Sequence, residues 1–151
     1  MVTLTLTGIY DFVIIVRNNG SGHRIIVDME DDAMQWLEEH LDSSDLILTP
    51  PYSINEVTLS GVMLYCGWPY YAWSAGYDTD ARFYTAKEIY SSDDPEYVST
   101  LVEKEKITWI LWDEYEQSYD GAEIREEVIA RLYPLAFTSE NGSIRIYDTS
   151  R

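Results

Sequence analysis

The stretch Leu135-Ala136-Phe137-Thr138-Ser139-Glu140-Asn141-Gly142-Ser143-Ile144-Arg145-Ile146-Tyr147 sets two short apolar runs on either side of Asn141-Gly142. Asn-Gly between such runs is the strongest short-range signal for a β-hairpin, because both residues accept the positive φ that a tight turn demands. Residues Phe137 to Tyr147 are therefore expected to form a hairpin at one edge of a sheet. Just before it, Ile124, Val128, Ile129 and Leu132 fall at helical spacing within Ala122 to Tyr133, and Pro134 ends the pattern.

Reading outward from there, strands and helices alternate. Ile107 to Trp112 is an apolar run of strand length, with Trp109 and Trp112 expected in the core or at the strand end. A helix is expected from Pro95 to about Lys106, with Asp93-Asp94 as its cap, Pro95 at its favoured first position, and Tyr97, Leu101 and Val102 buried. Asp78 to Tyr90 carries Phe83, Ala86, Ile89 and Tyr90 in a helical pattern. Val62 to Tyr65 reads as a strand, Ser53 to Leu59 as a short helix, and Asp45 to Thr49 as a buried strand stopped by Pro50-Pro51. Asp28 to Leu41 is the clearest helix, with Ala33, Trp36, Leu37, His40 and Leu41 on one face and His40 expected to pack there. Arg24 to Asp28 reads as a short strand, Asn18 to His23 as a turn, and Thr3 to Val16 as extended or as the tail of a membrane helix.

This order predicts an α/β fold: a three-layer sandwich with a mixed, mostly parallel sheet and a C-terminal antiparallel hairpin. Leu46 to Thr49 and Ile107 to Leu111 are expected as its central strands. Residues 1–27 read as a preceding segment and residues 28–151 as one domain.

Composition narrows function. The 151 residues carry 27 acidic against 10 basic side chains, a formal charge of −17. That surface repels nucleic acid and gives no polybasic patch for anionic lipid. Hydrophobic residues make up 46 % of the chain, enough for a real core. Cys66 is the one cysteine, so no intramolecular disulfide forms. No apolar run reaches the roughly 20 residues that a membrane-spanning helix needs.

Ser60 to Arg82 is unlike either a core strand or a core helix. Tyr65, Trp68, Tyr70, Tyr71, Trp73 and Tyr77 crowd a span broken by Gly61, Gly67, Pro69 and Gly76, and Arg82 follows. Rings with polar tips beside flexible glycines suit a specialised surface or a joint between domains. Here the chain resembles the C-terminal soluble domain of large bacterial integral membrane proteins related to the GT-C class of glycosyltransferases. The Gly67 to Arg82 stretch resembles the Gly-aromatic-Arg signature of those domains. Further matches are Thr7-Gly8-Ile9-Tyr10-Asp11, Trp36 to Leu41, Asp45 to Thr49, Glu105 to Ile110 and Ser143 to Tyr147. His40 stands where Asn is common.

The resemblance implies a soluble, extracytoplasmic piece of a longer membrane polypeptide that uses polyprenyl-phosphate-linked sugars. The transmembrane domain of the same polypeptide would be its partner, with a carbohydrate or lipid-linked sugar as a further one. The catalytic carboxylates of that class lie in loops near the first membrane helices, and nothing here matches them. No catalytic residue, metal or cofactor is therefore expected in this chain.

Trp68, Tyr70, Tyr71, Trp73, Tyr77, Asp78, Asp80 and Arg82 are the candidate binding residues. Their rings suit a sugar face, a membrane interface or packing, and packing against the membrane domain ranks first. Asp78 and Asp80 have the spacing of a small cation site, or of a helix-opening turn; no twelve-residue calcium loop accompanies them. Arg82 suits a bidentate phosphate or carboxylate, or an ion pair with Asp78 or Asp80.

Asp113, Glu114, Glu116 and Asp120 follow the central strand, where α/β sheets place ligands, though a charge run is ordinarily a solvated face. Cys66 has no basic neighbour in sequence to activate it. Two rival readings remain: a carbohydrate- or cell-wall-binding module using the aromatic stretch, and a free-standing enzyme with a carboxylate site around Asp113 to Asp120.

Overall fold

The computed structural model describes residues 31–51, 53, 57, 60–67 and 69–150, together with 10, 13, 14 and 17. Its elements run in the order α1 (Asp32–His40), β1 (Leu46–Leu48), β2 (Met63–Leu64), α2 (Pro69–Ser74), α3 (Asp80–Ser91) and α4 (Pro95–Glu105). Then come β3 (Trp109–Asp113), β4 (Ser118–Tyr119), β5 (Ala122–Glu123), α5 (Glu126–Leu132), β6 (Leu135–Thr138) and β7 (Ile144–Asp148). The expected turn at 18–23 and strand at 24–28 lie outside the described residues. So does most of the expected helix at 53–59, of which Val57 is helical. In the 3–16 segment the described residues Tyr10, Val13 and Ile14 are helical and exposed, against an extended reading there.

Five strands form one sheet in the order β2-β1-β3-β7-β6. β1 runs parallel to β2 and β3, and β7 is antiparallel to both β3 and β6. Four of the five strands therefore point one way and β7 alone runs against them. The hairpin is at one edge, and β1 and β3 are interior.

Alternation along the strands builds a core on each face. Leu48, Ile110, Trp112 and Tyr147 join Ile89, Tyr90, Val98, Val102 and Ile129 from the helices α3, α4 and α5. Ile47, Leu111, Ile144 and Ile146 join Ala33 and Leu37 of α1. The sheet is the middle of three layers, as the alternating pattern predicted.

Caps explain several boundaries. Asp31 Oδ1 accepts from the Ala33 and Met34 amides, and Asp94 Oδ1 from those of Glu96 and Tyr97, each satisfying donors that an open helix end leaves bare. That start sets the phase of α4, so Val98 and Val102 enter the core while Tyr97 stays exposed, contrary to expectation.

The helix expected from Ala122 starts only at Glu126. Asp120 and Gly121 take positive φ (48° and 77°) and make the tight turn of a small β4–β5 hairpin, while Lys87 Nζ holds the Asp120 carboxylate at 2.9 Å. His40 also departs from expectation. It is exposed, with its ring stacked on Trp36 at 4.5 Å and its Nδ1 2.9 Å from the Trp36 carbonyl oxygen.

Burial has a spectroscopic consequence. It pushes the phenols of Tyr65, Tyr90, Tyr119 and Tyr147 up, that of Tyr65 to about 12, where acceptance of its proton by Glu105 adds to burial. The folded state keeps these protons in a range where the unfolded chain releases them, so stability is intact below about pH 10 and falls as pH rises beyond it. Absorbance titration of the 13 tyrosines is expected to stop short of full ionisation until the protein unfolds, then complete abruptly. A smooth titration of every phenol before the far-ultraviolet signal is lost would contradict this.

Candidate functional site

The stretch from Gly67 to Arg82 is two helix ends back to back, the second within the span expected to be helical from Asp78. Pro69 opens α2 from a position where its missing N–H is no loss. The helix closes at Gly76, whose φ is 88°. The Gly76 amide donates to the Trp73 carbonyl (2.9 Å) and the Tyr77 amide to the Ala72 carbonyl (3.1 Å), a paired closure that a left-handed glycine makes possible. Asp78 Oδ1 then accepts from the Asp80 amide at 3.1 Å and opens α3. The residue at the cap of α3 is Thr79, so Asp78 braces the first turn from just outside it.

These closures hold the rings outward. Tyr70 is 57 % exposed, Trp73 63 %, Tyr77 71 %, and Tyr84, one turn beyond Asp80 on α3, 61 %. The Tyr70 and Trp73 rings lie 6.1 Å apart. Trp73, Gly76, Tyr77, Asp78, Thr79 and Asp80 line a groove of about 290 Å³. Tyr71 lies on the same short helix, and Trp68 is outside the described residues.

Arg82 does not enter this groove's ion balance. Its Nη1 donates to the Tyr65 carbonyl at 3.2 Å and its guanidinium sits 5.3 Å from the centre of the Tyr65 ring. None of the ion pairs among the described residues joins it to Asp78 or Asp80. The guanidinium therefore ties the start of α3 to the end of β2. A backbone carbonyl as its partner leaves no trace in sequence, so neither the phosphate nor the ion-pair reading anticipated it.

The acidic run after β3 divides. Glu114 and Asp120 are exposed, but Asp113 is buried, with Oδ2 accepting from Ser53 Oγ at 2.8 Å and Oδ1 from the Tyr115 amide at 2.9 Å. Partial burial, with Asp113 nearby, raises the Glu116 carboxyl. The Asp113 carboxylate is thus part of the fold at the strand end rather than a solvated face. Cys66 is half-buried, and burial pushes its thiol up, away from the reactive thiolate. Among the described residues no group of three or more His, Cys, Asp or Glu is placed to hold a metal.

A second groove, of about 320 Å³, lies between α1 and β6 and is lined by Trp36, His40, Trp109, Leu135 and Asp148 among others. Trp36 is stacked between His40 and Phe137 (4.5 and 5.2 Å), and the Trp109 indole donates to Asp45 at 3.0 Å. Its rings are engaged with each other.

No helix among the described residues is long and apolar enough to cross a membrane. No family model matches the chain, and no curated protein matches it. Among solved structures it is similar to the C-terminal globular domain of an oligosaccharyltransferase from Archaeoglobus fulgidus, with a TM-score of 0.53 and 12 % identity over 83 % of this chain and 98 % of that one. At that identity the likeness is one of fold alone.

Proposed function

We propose that this chain is a non-catalytic, extracytoplasmic domain of a GT-C-like membrane glycosyltransferase. It packs through the 67–82 face on the membrane part of the same polypeptide and helps seat the acceptor. The observation that carries this reading is the set of outward rings, Tyr70, Trp73, Tyr77 and Tyr84, on one short stretch. Each Å² of apolar surface left in water costs about 25 cal/mol, and two well-formed helix ends hold these rings there instead of folding them inward. Such patches mark interaction surfaces. The fold likeness to an oligosaccharyltransferase's C-terminal domain supports the reading, as does the Gly-aromatic-Arg resemblance.

The test uses the longer polypeptide. Trp73→Ala with Tyr77→Ala is expected to lower sugar transfer by about thirtyfold, the scale of losing an interface hot spot of roughly 2 kcal/mol. The same pair in the 151-residue chain is expected to shift the melting temperature by less than about 2 °C, because both rings are mostly solvated. Undiminished transfer, or robust sugar transfer by the 151-residue chain alone, overturns the proposal.

A further inference from the structure

We propose that the groove between the end of α2 and the start of α3 binds a cationic side chain, lysine or arginine, presented by a basic polypeptide segment. This deepens the reading above, since it names the chemistry that the 67–82 face receives.

Three observations converge on a cation. First, the walls are of two kinds that both favour positive charge. Trp73 and Tyr77 offer exposed rings, whose faces are negative, and Asp78 and Asp80 offer carboxylates in the same groove. Second, beyond the partial charge at the start of α3, no basic side chain among the described residues pairs with them. The nearest cation in sequence, Arg82, is turned to the Tyr65 carbonyl and ring, and neither Asp78 nor Asp80 takes part in an ion pair among the described residues. Third, the chain's −17 charge draws a basic partner toward it and repels an acidic one.

The volume, about 290 Å³, suits the end of one long side chain rather than a folded element. A polypeptide is favoured over a lipid surface because Asp78 and Asp80 line the groove. A membrane with anionic headgroups would meet repulsion there, and insertion of the rings would drag Asp78 and Asp80 toward the apolar layer.

The groove is also pre-formed. The Gly76 closure fixes the backbone at Tyr77, and the bond from the Asp80 amide fixes the Asp78 carboxylate, so part of the ordering is done before the ligand arrives.

The experiment measures binding of a tetralysine peptide with blocked ends to the 151-residue chain by calorimetry at low and at physiological salt. Trp73→Ala is expected to weaken binding about fivefold or more. Asp78→Asn with Asp80→Asn is expected to weaken it about tenfold; asparagine at position 78 keeps an oxygen for the Asp80 amide. Glu38→Gln with Glu39→Gln, on the exposed surface of α1, removes the same charge elsewhere and is expected to change binding less than about twofold.

Equal weakening by the two acid pairs means that tetralysine reads only the overall charge, and overturns the inference. So does an undiminished affinity in Trp73→Ala. Binding of phosphatidylcholine vesicles through the same residues, without binding of tetralysine, overturns it in favour of a lipid headgroup. This assay does not involve sugar transfer. A groove that binds nothing leaves the packing proposal standing, and a groove that binds while transfer ignores Trp73 leaves this inference standing alone.

Discussion

Replacing Tyr90 with phenylalanine is expected to lower the unfolding free energy by about 1–3 kcal/mol, the penalty for leaving buried polar groups without a partner. Alanine there is expected to cost about 3–5 kcal/mol, through the added cavity. Tyr90 is fully buried in the middle of the α3 face of the sheet. Its hydroxyl lies 2.6 Å from the Leu111 carbonyl oxygen and 3.1 Å from that of Leu48, so one phenol spans the end of β1 and the middle of β3. Its ring stacks on Tyr119 at 5.7 Å.

Phenylalanine keeps the ring packing and removes only the hydroxyl, so the two substitutions separate hydrogen bonding from volume. Urea unfolding followed by circular dichroism checks both. The midpoint is expected to fall while the dependence on urea stays constant, because the surface exposed on unfolding is nearly the same. A Tyr90→Phe protein as stable as the parent would show that the Leu48 and Leu111 carbonyls gain nothing from this donor.

That central position was legible in sequence, and the reason is physical. A short apolar run bounded by Pro50-Pro51 has no room to be a helix, and Trp109 to Asp113 follows a helix that ends at Lys106 in a left-handed turn (φ 58°). Length and punctuation decided both strands. The hairpin was legible from Asn141-Gly142, but its loop is wider than a two-residue turn. Thr138 pairs with Arg145, and the Asn141 carboxamide oxygen accepts from Ser139 Oγ, Ser143 Oγ and the Ser143 amide.

The misreadings share a cause. Asp120-Gly121 is as strong a turn signal as Asn-Gly, yet it closes an acidic run whose charge points to a solvated face. Tyr97 and Val98 are adjacent, so one residue of helix phase decides which enters the core, and periodicity over three turns cannot fix that. For the candidate site, the residue types near 67–82 were legible but their direction was not. Spacing that fits neither a core strand nor a core helix points to a surface, but the short helix and its closure at Gly76 that carry Trp73 and Tyr77 leave no such mark.

The second large effect is expected at Glu126, in the first turn of α5. Its Oε1 accepts from Arg145 Nη1 and, at 2.6 Å, from the Tyr147 hydroxyl, both on β7. Arg145 in turn lies over the Trp112 ring, 4.3 Å from its centre. One carboxylate therefore fastens a helix to the strand that runs against all the others. Glu126→Ala strands a part-buried guanidinium and a part-buried phenol, and is expected to cost about 2–3 kcal/mol. Glu126→Gln keeps an acceptor for one of them and is expected to cost about half that.

The pH dependence identifies the mechanism. Burial, and then the bond to Glu126, hold the Tyr147 phenol above its usual value. A phenol raised in the folded state stabilises fully below its unfolded value near 10, and that contribution is lost as pH climbs past it. Removing Glu126 takes away part of the upward push, so the variant's stability is expected to level off at a lower pH than the parent's as pH climbs from about 10 to 12, although it starts lower. The measurement is a series of urea midpoints across that range for both proteins. Parallel curves would show that Tyr147 does not sense Glu126, and that the loss in Glu126→Ala comes from Arg145 alone.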